Sequence, residues 1–175
     1  MKSLIAGAAA LAVAAVAAPA FAQNLPMPNI YGNLGASLTH GSDVNLWAVQ
    51  GRAGARFAKY LGAEGEVAFG LGHDTTSGVE MKLRHEYAGY VVGFVPVQPN
   101  LDLFARVGYG HQSIRGTAGS TSVVDGMDSL NYGAGAQYFV TPKDGVRAEY
   151  TRFDYRGSGN GGANVWSLSY VRKFN

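Results

Sequence analysis

Apolar and polar residues alternate with a period of two along most of the chain. In residues 47–57, Trp47 and Val49 occupy odd positions, whereas Arg52 occupies an even one. A period of two is typical of β-strands that have one apolar and one polar face. The same alternation recurs in residues 63–71, 101–109, 130–138, 146–151 and 166–170, and more faintly in 30–39. The sequence therefore predicts an all-β fold.

Segments rich in Gly, Pro, Ser, Asp and Asn separate these strands. A further long segment, residues 79–95, loses clean alternation after Glu86, which predicts a bulge or a register change there. Short turns are expected at 59–62, 96–100 and 141–144, and longer connections at 41–45, 73–78, 112–128 and 156–164. Seven connections of alternating length predict eight antiparallel strands in an up-and-down order.

The first 22 residues have the pattern of a secretory signal peptide. Lys2 precedes an apolar, Ala-rich run at 4–18, and a small-x-small cleavage pattern ends at Ala22. We therefore expect residues 1–22 to be removed and residues 23–175 to form one β-barrel domain.

Composition and charge exclude several classes of protein. The chain has no cysteine, so a disulfide framework, a cysteine nucleophile and a cysteine-ligated metal are excluded. The formal net charge of +2 gives no reason to expect a nucleic-acid partner.

The charges on the polar strand faces indicate which side of the sheet is the interior. Six cations and six anions lie mid-strand and nearly neutralise each other, as expected for a narrow barrel that fills its lumen with paired ions. The set predicted to form this lumen charge network is Arg52, Arg56, Glu64, Glu66, Glu80, Lys82, Arg84, Glu86, Asp102, Arg106, Arg147 and Glu149. If Phe57 faces Ala63 across the short turn, Arg56 lies opposite Glu64.

Two further features favour a transmembrane barrel. Aromatic residues such as Trp47, Tyr109 and Trp166 lie near strand ends on the apolar face, where amphipathic rings meet the membrane interfaces. Short turns alternate with longer loops, as periplasmic and extracellular ends do. The alternative is a soluble periplasmic β-barrel or sandwich.

Several segments resemble the outer-membrane β-barrel family of porin-like, OmpA/OmpX-type and opacity-type surface proteins. They are FARVGYG (104–110), NYGAGAQYF (131–139), DGVRAEYTR (144–152) and WSLSYVRKF (166–174). The resemblance implies a monomer in the outer membrane of a Gram-negative bacterium, in contact with lipid and lipopolysaccharide. It also implies that Tyr170 and Phe174 form the signal for the barrel-assembly machinery, although Asn175 follows Phe174 where the family usually ends on the aromatic residue.

The residues that could carry chemistry are few. His40, His73 and His111 lie near the loop end, where a metal is conceivable, but exposed loop histidines are the simpler interpretation. His111 and Ser113 resemble the His-x-Ser pair of outer-membrane lipid A deacylases, because residues two apart share a strand face and can form a base–nucleophile pair. No orienting acid is evident from the sequence.

Three functions remain in competition. The leading hypothesis is a non-enzymatic outer-membrane barrel with an envelope-structural role and surface contacts through its loops, to an unknown surface ligand and without a cofactor. The runner-up is a narrow pore for small solutes, and a lipid A-modifying hydrolase is the third.

Overall fold

The computed structural model describes residues 28–40, 45–71, 74–76, 79–118, 121–156 and 161–174. Within these ranges, only the backbone is described at residues 74–76, 79–82, 116, 118 and 121–125. These residues form the nine β-strands β1 (Asn29–His40), β2 (Asn45–Ala58), β3 (Leu61–Gly70), β4 (Asp74–Thr76), β5 (Val79–Gln98), β6 (Leu101–Ala118), β7 (Thr121–Phe139), β8 (Asp144–Arg156) and β9 (Gly162–Lys173). No helix within these ranges is long and apolar enough to cross a membrane.

The strands form one closed antiparallel sheet. The order of paired neighbours is β3, β2, β1, β9, β8, β7, β6 and β5. Pairing of β3 with β5 closes the ring. The short strand β4 pairs with β5 beyond the end of β3, so β3 and β4 share one position in the wall. The structure is therefore an eight-stranded antiparallel barrel, as the alternation predicted.

The seam between the first and last strands is paired along its length. Its register runs from Tyr31 opposite Lys173 to His40 opposite Asn164. Beyond the last pair, the Phe174 amide donates to the Ile30 carbonyl at 2.9 Å. Both ends of the barrel domain therefore lie at the end of the barrel that carries the short turns.

The outer wall of the barrel is apolar. Large hydrophobic side chains remain exposed along every long strand, among them Leu34 at 63%, Val91 at 53% and Leu168 at 64%. Contiguous apolar surface of this extent marks a face that contacts another apolar phase. Trp47, Tyr109, Tyr138, Trp166 and Tyr170 are exposed on the same wall, on the face where the sequence placed them.

The lumen is filled by side chains in layers. Near the short-turn end lies an apolar cluster that includes Tyr31, Phe94 and Phe139. Near the other end a second apolar cluster contains Leu46, Ala48, Ala68 and Leu83, with Ile114 packed against it. Buried charged residues occupy the space between the two.

The interior of β5 differs from the sequence prediction. A register shift lies between Leu83 and His85, before Glu86 and not after it. Beyond that point alternation is regular, but the inward residues are Ala88, Tyr90, Val92 and Phe94. The pattern looked irregular in the sequence because this part of the lumen is itself apolar.

The predicted connection 112–128 is mostly strand. β6 continues to Ala118, and β7 begins at Thr121, so the two strands pair over 18 residue pairs. A transmembrane β-strand needs only about 9–11 residues. The β6–β7 hairpin therefore extends well beyond the part of the barrel wall that a membrane would cover.

Candidate functional site in the barrel lumen

Six buried ions cross the middle of the lumen. We call this set the central cluster: Arg52 on β2, Glu64 and Glu66 on β3, Arg106 on β6, and Arg147 and Glu149 on β8. Every one of these side chains is at most 3% exposed. Three guanidinium groups and three carboxylates make the cluster formally neutral.

Arg147 joins opposite sides of the wall. Its Nη1 lies 2.6 Å from Oε1 of Glu64, and its Nη2 lies 2.9 Å from Oε2 of Glu149. A planar guanidinium suits this role because its donors are fixed in a fork that matches carboxylate oxygens. The side chain of Arg147 is fully buried, so these bonds are shielded from water.

Arg52 and Arg106 complete the network. Arg52 donates through Nη2 to Oε1 of Glu149 at 2.9 Å, and its Nε contacts Glu66, its neighbour across β2 and β3. Arg106 reaches Oε2 of Glu66 at 3.0 Å and also contacts Glu149. Each carboxylate therefore meets more than one cation, which offsets the cost of removing these ions from water.

Aromatic and hydroxyl groups fix the positions of the ions. Tyr31 donates its hydroxyl hydrogen to Glu64 at 2.7 Å. The guanidinium carbon of Arg106 lies 3.9 Å from the ring centre of Tyr90, and that of Arg147 lies 3.7 Å from Phe104. A cation over a ring face gains further stabilisation when both groups are desolvated.

The other ions of the predicted network lie elsewhere. Arg56 pairs with Asp102 at 2.9 Å near the short-turn end, where both side chains keep some exposure. Glu86 is buried between Ala68 and Gln112, on the side of the longer connections. Glu80 and Lys82 have side chains outside the described residues.

Two details of the sequence prediction are corrected. Arg84 is exposed and does not join the lumen ions, because the register shift between Leu83 and His85 breaks the alternation at this residue. Arg56 lies opposite Gly62, and Glu64 lies opposite Gly54, so Arg56 and Glu64 do not pair across the turn. A register shift next to Arg56 moves the pairing from the register expected from turn length alone.

Sequence reasoning missed the uncharged groups of the site. Thr151 accepts a hydrogen bond from Arg106 at 2.9 Å, and Asn131 donates to Tyr90 at 3.0 Å. Thr151 lies two residues after Glu149, and Asn131 lies six residues before Gln137. An even separation along a strand puts both residues on the lumen face. The period of two could have found them if polar uncharged residues had been counted with the charged ones.

Outside the lumen, the outer wall of the β6–β7 hairpin carries a histidine–acid pair. Nδ1 of His111 lies 2.7 Å from Oδ1 of Asp128, its neighbour across the two strands, and the imidazole stacks on Tyr87. Ser113 faces His85 across β5 and β6. His40 is exposed, and His73 lies outside the described residues.

The residues predicted as the assembly signal lie on the outer wall at the short-turn end. Tyr170 donates its hydroxyl hydrogen to Asp144, which also accepts from Arg172 at 2.9 Å. The ring of Phe174 covers Gly32, where a Cβ atom would lie 3.2 Å from the ring. A larger residue at this position would push the ring away from the seam.

The arrangement of the central cluster suits closure of the lumen more than chemistry on a substrate. Its carboxylates are held by neighbouring cations and are inaccessible to a substrate from either end. No three His, Asp or Glu side chains among the described residues are grouped so that they could hold a metal ion. The site is a neutral, dry network across the barrel.

Comparison with protein families identifies a family model that covers nearly the whole chain. The family model described as "Outer membrane protein beta-barrel domain" matches residues 8–174. No curated protein gives a significant match.

The solved structures that share this fold include proteins of Gram-negative outer membranes. Ail, the attachment invasion locus protein of Yersinia pestis, aligns with 16% identity over 85% of this chain and 100% of its own, with a TM-score of 0.65. Neisserial surface protein A aligns with 16% identity over 83% and 97%, with a TM-score of 0.70. The N-terminal β-barrel domain of Pseudomonas aeruginosa OprF aligns with 13% identity over 81% and 96%, with a TM-score of 0.58. These likenesses concern the fold.

Proposed function

The chain belongs to the outer-membrane β-barrel family, and from that premise we propose that it is a non-enzymatic barrel that supports the envelope and makes surface contacts. The chain lies in the outer membrane of a Gram-negative bacterium, with its apolar wall facing lipid. Its role then depends on what the lumen and the extracellular end can do.

The observation that carries the structural role is the central cluster. An eight-stranded barrel has an interior that side chains just fill. Here Arg147 spans that interior, with one guanidinium nitrogen on Glu64 and another on Glu149. Passage of a solute would require the separation of buried ion pairs, which costs several kcal/mol each. The cluster therefore favours a closed barrel over a pore.

The surface role is supported by the β6–β7 hairpin. Residues 121–127 of β7 pair with β6, whereas pairing of β7 with β8 begins only at Asp128 opposite Arg156. Among the described strands, none pairs with the second edge of this segment. An open strand edge can accept an added strand from a partner through backbone hydrogen bonds.

The remaining partners belong to the same proposal. Lipid and lipopolysaccharide would contact the aromatic and apolar outer wall, and the barrel-assembly machinery would read Tyr170 and Phe174. The protein would act as a monomer after removal of residues 1–22.

Phe174→Ala should lower the yield of barrel in the membrane more than Asn175→Ala, because Phe174 covers the seam at Gly32. Equal yields would contradict the assembly role.

Conductance separates the closed barrel from a pore. The mature protein, refolded and inserted into a planar lipid bilayer, should give no discrete conductance steps. Reproducible steps of one unit size would instead establish the narrow pore for small solutes. A known porin added to the same bilayer should give steps, which shows that the bilayer would have detected a conducting barrel.

A hydrolase acting on lipid A is a second candidate, favoured by one specific observation. The acid that the sequence did not reveal is Asp128, at 2.7 Å from His111, and Ser113 is two residues further along the same strand. Mass spectrometry of lipid A from cells with and without the protein tests this candidate. Loss of an acyl chain that depends on Ser113 would replace the non-enzymatic proposal, and unchanged lipid A would support it.

A further inference from the structure

A cavity opens into the lumen at the end of the barrel that carries the short turns. It measures about 480 Å³, and we call it the vestibule. Its walls come from the ends of β1, β2, β5, β7 and β9. Ligand pockets for small molecules span about 300–1,000 Å³, so the vestibule has the size of a binding site.

The inner wall of the vestibule is aromatic. Tyr31, Phe94 and Phe139 line it and are each at most 6% exposed. The rings of Tyr31 and Phe94 meet edge to face, with centroids 6.3 Å apart. This wall offers an apolar surface to the body of a ligand, and burial of an apolar body there is favourable.

The cations at the vestibule differ in how fully they are paired. Arg56 is satisfied by Asp102 and by the backbone carbonyl of Lys59. Lys173 lies with its Nζ 3.5 Å from the ring centre of Phe139, and no salt bridge joins it to an acidic side chain among the described residues. Lys173 is therefore a vestibule cation without a salt bridge among the described residues, although Asp102, the partner of Arg56, also attracts its charge.

Gln137 adds a hydrogen-bond acceptor with no partner. Its Nε2 donates to Oδ2 of Asp102 at 3.0 Å, and the carboxylate therefore fixes which end of the amide is the oxygen. The Oε1 atom of Gln137 is buried and has no hydrogen-bond partner, although the residue lines the vestibule. A buried acceptor without a partner costs free energy, which a donor on a ligand would recover.

We propose that the vestibule binds a small carboxylic acid that has an apolar body and one hydrogen-bond donor. The carboxylate lies against the ammonium group of Lys173, the apolar body packs on Phe94 and Phe139, and the donor bonds Oε1 of Gln137. The three parts of the ligand match a cation without a salt bridge, an apolar wall and an acceptor without a hydrogen-bond partner. A simple inorganic anion would contact only the ammonium group of Lys173 and would leave the apolar wall and Oε1 of Gln137 without a partner.

The ligand reaches the vestibule from the periplasm. The cavity is lined by Ala58 and Lys59 of a short turn, and the central cluster separates it from the opposite end of the barrel. The direction of access rests on an orientation with the short turns in the periplasm, which is typical of outer-membrane barrels. Binding of the ligand does not depend on the orientation or on whether the lumen is closed. A conducting barrel could still bind the ligand, and a closed barrel could fail to bind it.

A ligand series on the parent protein tests the proposal without any substitution. The probe is N-acetyl-phenylalanine, added to the isotope-labelled mature barrel in zwitterionic detergent. Saturable NMR shifts are expected at the amides of Gln137, Phe139 and Lys173. The uncharged amide of the same molecule and acetate should each bind about tenfold more weakly, since one lacks the charge and the other the apolar body.

Two lysine variants give a matched pair. Lys173→Gln should weaken binding of the probe about tenfold, because one charge-assisted contact is lost. Lys143→Gln, at an exposed turn residue of the same end that does not line the cavity, should leave affinity unchanged. Equal affinity for the acid and its amide, shifts confined to other parts of the barrel, or an equal effect of both variants would overturn the proposal. If Lys173→Gln does not fold, the ligand series decides alone.

Discussion

The middle of the lumen and its mouth at the short-turn end use the same chemistry in different surroundings. In the central cluster, Arg147 and its two carboxylate partners are at most 1% exposed. At the mouth, the side chains of Arg56 and Asp102 are 17% and 11% exposed, and water reaches both. The first set joins opposite walls, whereas the second lies beside an open cavity.

The difference shows that burial decides what an arginine–carboxylate pair does. A dry pair cannot lose one member without leaving an unpaired ion in a medium of low polarity. In a partly exposed pair, water can replace a lost partner, so such a pair tolerates change and can border a binding site. Three changes at increasing exposure test this gradient, and a fourth tests the ionisation of a surface carboxylate.

The largest effect is expected for Arg147→Ala. This change leaves Glu64 and Glu149 buried with fewer counter-charges, which costs about 3–5 kcal/mol. Denaturant unfolding of the barrel in lipid vesicles measures the loss. The double variant with Glu64→Gln should cost less than the sum of the two single changes, because the partners share one network. Strict additivity would mean that the network is not coupled.

Arg56→Ala should have an intermediate effect. Its partner Asp102 keeps a bond from Gln137 and some access to water, so we expect a loss of about 1–2 kcal/mol. The same unfolding measurement applies. A loss as large as that of Arg147→Ala would remove the distinction between the mouth and the middle of the lumen.

Arg152→Ala, at the end of β8 on the side of the longer connections, provides the exposed reference. Arg152 pairs with Asp154 at 3.2 Å, and these side chains are 33% and 47% exposed. Exposed ion pairs contribute about 0–1 kcal/mol, so the unfolding midpoint should barely move. A shift comparable with that of Arg56→Ala would show that exposure does not rank these pairs.

The smallest effect concerns Asp144 in the last short turn. Hydrogen bonds from Tyr170 and Thr141 hold the pKa of the Asp144 carboxyl below its usual range. A depressed pKa in the folded state gives stability that is present above the unfolded pKa of about 3.9 and lost as the pH falls through the folded value. Asp144→Asn should therefore lower stability slightly at neutral pH, where the ionised carboxylate stabilises the parent. Well below about pH 4, where the parent carboxyl is protonated, the two proteins should be equally stable, so the acid limb of the variant is flatter. An equal change at both pH values would exclude this ionisation as the cause.

The sequence predicted the barrel because alternation has the same meaning on every strand of a closed sheet. Arg52 and Glu66 were placed on the inner face by parity alone, and the register puts them opposite each other. The partners of Arg56 and the position of Arg84 were wrong because parity fails at a register shift. A one-residue slip reverses the face of a side chain, and no local signal marks it.

The interior of β5 was obscured for another reason. Val92 and Phe94 point into the lumen, so both faces of that strand are apolar there. Alternation reveals a strand only when one of its faces is apolar and the other is polar, so the pattern is lost where both faces are apolar. The vestibule was not predicted for a different reason, because residues such as Tyr31 and Phe139 that line it come from strands distant in sequence.

The sequence separation within the central cluster has a consequence for folding. Arg147 and Glu64 are 83 residues apart, and Arg52 and Glu149 are 97 residues apart. These partners meet only when the first strands and the last strands come together, and contacts of such range form slowly. Until then the ions must stay hydrated, because an unpaired ion in a dry interior is prohibitively costly. Expulsion of water from the lumen is therefore coupled to closure of the barrel.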